Sequence, residues 1–156
     1  MATRRLGLVL ATWGGCGYSP WAPGTAGSAA AVLIGYVLVH ETGFSPLWLG
    51  ALAAALLWPA CWASEVAANH FSREDPPQVV VDEVVGQWIV LSAAAPGNWL
   101  QWLAAFILFR LFDIFKPFPI RRLEQLPKGV GVVADDVGAG LCGMIILVVL
   151  RWFFES

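Results

Sequence analysis

Charge is the scarcest property of this sequence. Only 13% of its 156 residues are Asp, Glu, Lys or Arg, against about 25% in an ordinary soluble domain. Apolar residues make up 58%, and the mean hydropathy is +0.69. This places the chain in the membrane class. Its length suits one domain, 1–156, and not comfortably two. Basic residues are too few to form a stripe, and the net charge is −2. Nucleic acid is therefore excluded as a partner, because its affinity rests on phosphate neutralisation. Cysteine is also sparse. Cys16, Cys61 and Cys142 lie far apart with no Cys-x-x-Cys, which excludes a disulfide framework and a zinc site. The two histidines, His40 and His70, stand alone and read as polar boundary residues.

Apolar runs and tryptophan are plentiful. Nine Trp residues fit a bilayer partner, since indole rings favour the headgroup level. A short apolar run at 6–13 follows Arg4 and Arg5. The Gly14-Gly15-Cys16-Gly17 stretch after it reads as a functional loop rather than a cleavage site. Further runs span about 27–39, 47–64, 84–95, 99–115 and 137–154, with Pro96-Gly97-Asn98 as a tight turn. Lipid forbids open sheet edges, and Ala and Leu dominate, so the runs predict an all-α, multi-pass membrane bundle of about five helices. The third run is too short for a full crossing, which takes about 20 residues. Either it begins nearer Val79, or it stops short of the far side.

Seven of the nine Lys and Arg residues fall on the side that holds Arg4 and Arg5. The positive-inside rule makes that side cytoplasmic. The segments there are about 14–26, 69–83 and 116–136, and nearly every unusual cluster lies in or beside one of them.

The first cluster runs from Gly14-Gly15-Cys16-Gly17-Tyr18 through Ser19-Pro20-Trp21-Ala22-Pro23-Gly24-Thr25-Ala26-Gly27-Ser28. Glycine lets backbone approach a ligand, Thr25 stands where an N-cap would, and a helix N-terminus favours a phosphate. Close helix packing through Gly27 and Ser28 explains the same residues without a ligand. The second cluster is Asp82-Glu83 between valines, where ionised groups are costly unless paired or metal-bound. The third is Arg110, Asp113 and Lys116 at threefold spacing, on one helix face, ending before Pro117. Charges inside a membrane helix read as functional by default. The fourth is Asp135-Asp136, opening the last apolar helix, with Gly138, Gly140 and Gly143 placed for close packing.

Asp82, Glu83, Asp113, Asp135 and Asp136 thus converge at one face. Five carboxylates repel one another unless a cation joins them, and hard oxygen ligands suit Mg²⁺. Arg110, Lys116 and the turn of Gly24, Thr25, Gly27 and Ser28 are placed for a phosphate. Only one acid of each adjacent pair is expected to reach the metal, because neighbours on a helix point about 100° apart. Glu41, Glu124 and Glu155 read as surface charge. Glu65 either joins the site or pairs with Arg73.

Together the stretches SPWAPGTAGS, VVVDEVVGQW, FRLFDIFKPFPI and GVVADDVGAG, in this order, resemble the phosphatidylglycerophosphatase A family. The resemblance implies a fold packed around a central helix. It also implies Mg²⁺-dependent hydrolysis of phosphatidylglycerophosphate to phosphatidylglycerol at a bacterial inner membrane, with a phospholipid as substrate. The stretch Arg73-Glu74-Asp75-Pro76-Pro77 departs from the expected pattern. Other phosphatase chemistries are excluded. No Cys is followed six positions on by Arg, no Asp-x-Asp occurs, and two isolated His cannot form a phosphohistidine pair. The competing class is an ion or small-solute transporter using Arg110 and Asp113. It would place charge near the midplane and show internal repeats, and no repeat is present.

Overall fold

A computed structural model describes the backbone of residues 2–155 and the side chains of residues 2–154, so the side chain of Glu155 lies outside the described residues. The described chain is all-α, with no strand. Seven helices follow in order: α1 (Ala2–Ala11), α2 (Pro23–Thr42), α3 (Leu47–Phe71), α4 (Val81–Leu91), α5 (Trp99–Phe115), α6 (Ile120–Leu123) and α7 (Gly129–Glu155). A short 3₁₀ turn, Cys16–Tyr18, precedes α2. The five expected helices are all present, and α1 and α6 are added to them.

The boundaries depart from the apolar runs in instructive ways. α2 starts at Pro23, with Ala22 as its cap at a left-handed φ of 46°. Thr25 is therefore inside the first turn and is not the cap. Proline supplies the start instead, because its missing N–H costs nothing at that position. α7 starts at Gly129, two turns before its apolar run. Asp135 and Asp136 accordingly sit in the second turn and do not open the helix. α4 starts at Val81 and ends at Leu91. At 1.5 Å per residue its 11 residues are about 16 Å long, too short to cross a bilayer.

α4 is the central helix. Nine of its eleven residues are buried, and it packs against α2, α3, α5 and α7. The Trp88 indole donates to the Ala31 carbonyl at 3.0 Å, tying α4 to α2. Glycine sets the α4–α7 crossing. A Cβ on Gly140 would lie 2.6 Å from the Gly86 carbonyl oxygen, and one on Gly86 would lie 2.6 Å from the Asp136 carbonyl oxygen. No side chain fits between these backbones. Gly138 and Gly143 pack on side chains, where a Cβ would lie 2.8 Å from Leu123 Cδ1 and 3.0 Å from Val90 Cγ2.

Three helices are long and apolar enough to cross a membrane: α2, α3 and α7 over Gly129–Phe154. Their outward faces carry exposed large apolar residues such as Leu33, Trp58 and Ile145. Water would penalise such faces and lipid does not.

Candidate active site

The α4–α7 contact decides what lies above it. With Gly86 against the Asp136 backbone, the first turn of α4 stands beside the second turn of α7. Asp82, Glu83 and Asp136 each bring a carboxylate oxygen within 4.8 Å of the other two. Asp82 and Asp136 are buried, at 7% and 3% exposure. Both members of the Asp82-Glu83 pair reach this point. Of the second pair only Asp136 does.

These residues line a cavity of about 410 Å³. It draws on the N-terminus of α2, the 72–80 connection, the start of α4, the end of α5, the chain around α6 and the start of α7. The three segments expected at one membrane face therefore meet in one hollow.

The end of α5 supplies the cations. Arg110 Nη1 is 2.5 Å from Asp113 Oδ2, the i,i+3 pair that the sequence spacing anticipates. The same nitrogen donates to Ser28 Oγ at 3.5 Å. Lys116 caps α5 in left-handed conformation, with φ 42°. Its ammonium donates to Asp135 and Glu124, each at 2.5 Å. Burial would lower the Lys116 pKa, but these two hydrogen bonds outweigh it and hold the group above the ordinary lysine range.

The five expected carboxylates thus divide. Asp82, Glu83 and Asp136 form the close trio. Asp113 engages Arg110 and Asp135 engages Lys116. Of the expected phosphate-side residues, Arg110, Lys116 and Gly24 line the cavity, and Thr25, Gly27 and Ser28 do not. Gly27 faces Val80, where a Cβ would come within 2.7 Å of the valine Cβ. Ser28 is fully buried and donates to the Gly24 carbonyl at 2.9 Å. Packing is thus what Gly27 and Ser28 do, and it sets Gly24. A Cβ on Gly24 would collide with Glu83 Oε1 and come within 3.3 Å of Arg110 Nη1.

Two charged cavity residues were not assigned to the site from the sequence. Glu124, expected as surface charge, lines the hollow and binds Lys116. Asp75 stands at the mouth, in the stretch that departs from the family pattern. A third expectation is corrected outside the cavity, where Glu65 pairs with Lys128 at 3.0 Å and not with Arg73.

Seven carboxylates and two cations line this hollow. Asp82 Oδ1, Glu83 Oε2 and Asp135 Oδ1 are buried without a hydrogen-bond partner. Buried carboxylates this close together, with oxygens left unpartnered, are unfavourable unless a further cation joins them. The donor set, oxygen only and partly open, fits a hard divalent cation such as Mg²⁺.

A family model described as Phosphatidylglycerophosphatase A matches residues 9–151. The chain belongs to the phosphatidylglycerophosphatase A family. Membership places it among the phosphoric monoester hydrolases and among membrane proteins, and does not favour the transport alternative. A phosphatidylglycerophosphatase A of Haemophilus influenzae is 36% identical over 146 residues, covering 93% of this chain and 88% of that one. Its Escherichia coli counterpart is 36% identical over 142 residues, covering 89% and 80%. A Bacteroides thetaiotaomicron protein, provisionally named a phosphatidylinositol-3-phosphatase, is 42% identical over 151 residues and 94% of both chains. No solved structure matches the chain.

Proposed function

We propose that this chain removes the terminal phosphate of phosphatidylglycerophosphate, giving phosphatidylglycerol and inorganic phosphate. The site would face the cytoplasm from a bacterial inner membrane that the protein crosses more than once, with Mg²⁺ as the metal. The meeting of Asp82, Glu83 and Asp136 in a hollow that also holds Arg110 and Lys116 carries this reading. The substrate follows the names of the Haemophilus influenzae and Escherichia coli relatives.

Asp82, Glu83 and Asp136 would hold the cation, with Asp113 and Asp135 completing the acidic set. Bound there, Mg²⁺ supplies charge neutralisation for phosphoryl oxygens and acidity to a coordinated water. The remaining work falls to the chain. Arg110, held by Asp113 and Ser28, offers its guanidinium to the phosphoryl group. Lys116, fixed by Asp135 and Glu124, adds a point charge beside it. The N–H group of Gly24 belongs to the first turn of α2, where no helical carbonyl can reach it, so it is free to donate to an oxyanion. Gly27 and Ser28 keep that turn in place. Water adds to phosphorus as the bond to the glycerol oxygen breaks. A carboxylate of the set accepts the water proton, and the departing oxygen takes one up.

The test is phosphate release from phosphatidylglycerophosphate in detergent, with a phosphatidylinositol phosphate assayed beside it. Chelator should abolish release and Mg²⁺ restore it. Asp136→Asn should lower turnover by about 10²-fold or more. Release indifferent to chelator, or full turnover in Asp136→Asn, would reject the proposal. Faster release from the inositol lipid would reassign the substrate.

A further inference from the structure

A second polar feature lies away from the acidic hollow, where α1 packs on α3. Gly7 is pressed against Val66, and a Cβ there would lie 2.8 Å from Val66 Cγ1. At this contact Arg4 donates to Nδ1 of His70. Two adjoining hollows, of about 460 and about 310 Å³, share Arg4 and His70. Arg5, Asn69, Trp62 and Val66 also line them, and no carboxylate does. The acid-rich cavity carries seven carboxylates against two cations, and this groove carries cations alone.

The groove also has a direction. Trp58, Trp62, Val66 and His70 recur every four residues on α3, so they form one stripe along that helix. His70 lies in the last turn of a helix long and apolar enough to cross a membrane. Trp58, 77% exposed, lies three turns further into the span. The stripe therefore runs from a cationic, hydrogen-bond-donating end at the membrane boundary to an apolar track in the hydrocarbon region. An anionic glycerophospholipid has the same polarity, with a phosphate at one end and acyl chains leading away. A free phosphate matches only the first half.

We infer that the α1–α3 groove is a second lipid site, which seats the phosphodiester headgroup of an anionic bilayer phospholipid on Arg4, Arg5, Asn69 and His70 and an acyl chain along Val66, Trp62 and Trp58. The occupant bridges α1 and α3, so it holds the N-terminal helix to the bundle. The inference depends on the chain lying in a membrane and not on its phosphatase reaction.

The test is thermal unfolding of the full chain in a neutral detergent with added phosphatidylserine, which carries no phosphomonoester, compared with phosphatidylcholine and with inorganic phosphate. Phosphatidylserine should raise the unfolding temperature at concentrations at least about tenfold lower than phosphatidylcholine requires. Any shift with phosphate alone should be the same in wild type and in Arg5→Gln, because it belongs to the acidic hollow and not to this groove. The preference should vanish in the Arg4→Gln/Arg5→Gln double variant and weaken in Arg5→Gln, which keeps the Arg4–His70 contact if the double variant does not fold. Trp58→Ala should weaken the response without removing the preference for negative charge. Equal responses to the two lipids, a preference undiminished in Arg5→Gln, or a phosphate shift that Arg5→Gln removes would overturn the inference.

Discussion

Gly86 and Gly140 meet backbone to backbone, with room for no side chain between α4 and α7. One turn before Gly140 stands Asp136, and one turn before Gly86 stands Asp82. The acidic trio is thus a consequence of a glycine crossing. Two helices separated by ordinary side chains would hold these carboxylates farther apart.

Gly140→Ala should therefore damage the site from below. The new methyl meets a carbonyl oxygen that cannot rotate away, so α7 must move. Overpacking of this kind costs about 1–3 kcal/mol. We expect a lower unfolding temperature together with weaker Mg²⁺ affinity by titration. Wild-type affinity in a destabilised variant would show that the crossing does not set the trio.

Gly24→Ala separates function from stability in the opposite sense. Its Cβ meets the Glu83 carboxylate and nears Arg110 Nη1, both at the ends of flexible side chains. The backbone need not move, and alanine in a helix is favoured over glycine by about 1 kcal/mol. Phosphate release should fall by about tenfold or more, the order expected when transition-state contacts are misplaced, while the unfolding temperature holds or rises. A parallel loss of both would point to a packing defect instead.

Much of this arrangement could be read from residue spacing. The i,i+3 pair of Arg110 and Asp113 and the glycines of α7 follow from helix geometry alone. What the sequence hid was where helices begin. Apolar runs mark burial in lipid or core, and α7 continues for two turns before its run, where Asp135 meets Lys116 and Asp136 stands beside Asp82 and Glu83. Glu124 was hidden for a related reason. It is eight residues from Lys116, across a turn and the short α6, and no periodic rule links those positions. The roles of Gly27 and Ser28 needed coordinates too, because a glycine that admits a ligand and one that admits Val80 look the same in sequence.

Lys116 gives a pH prediction with a definite sign. Its pKa is raised in the folded protein by Asp135 and Glu124. A raised value means that the stabilisation is fully present below the unfolded lysine value, about 10.4, and is lost as pH rises through the folded value. Arginine at this position does not titrate there. The stability difference between wild type and Lys116→Arg should stay flat from about pH 7 to about pH 9, and wild type should lose ground only above about pH 10. Denaturant unfolding across that range checks it. A wild-type loss centred near neutrality would mean that Lys116 is not held by these carboxylates.

Gln87 is fully buried on α4, one turn beyond Glu83, and neither atom of its carboxamide has a hydrogen-bond partner. Each unsatisfied buried polar group costs about 1–3 kcal/mol. An apolar residue of similar size would avoid that cost, so packing alone does not account for a glutamine here. Positions four apart share a helix face, which places the amide beneath Glu83, whose Oε2 is also unpartnered. The two groups are matched in kind as donor and acceptor, although they do not bond in this structure. Gln87→Leu should therefore raise the unfolding temperature while lowering phosphate release. Gln87→Glu, which keeps the shape but adds a further acid to the trio, should lower both. Unchanged turnover in Gln87→Leu would assign the glutamine no part in positioning Glu83.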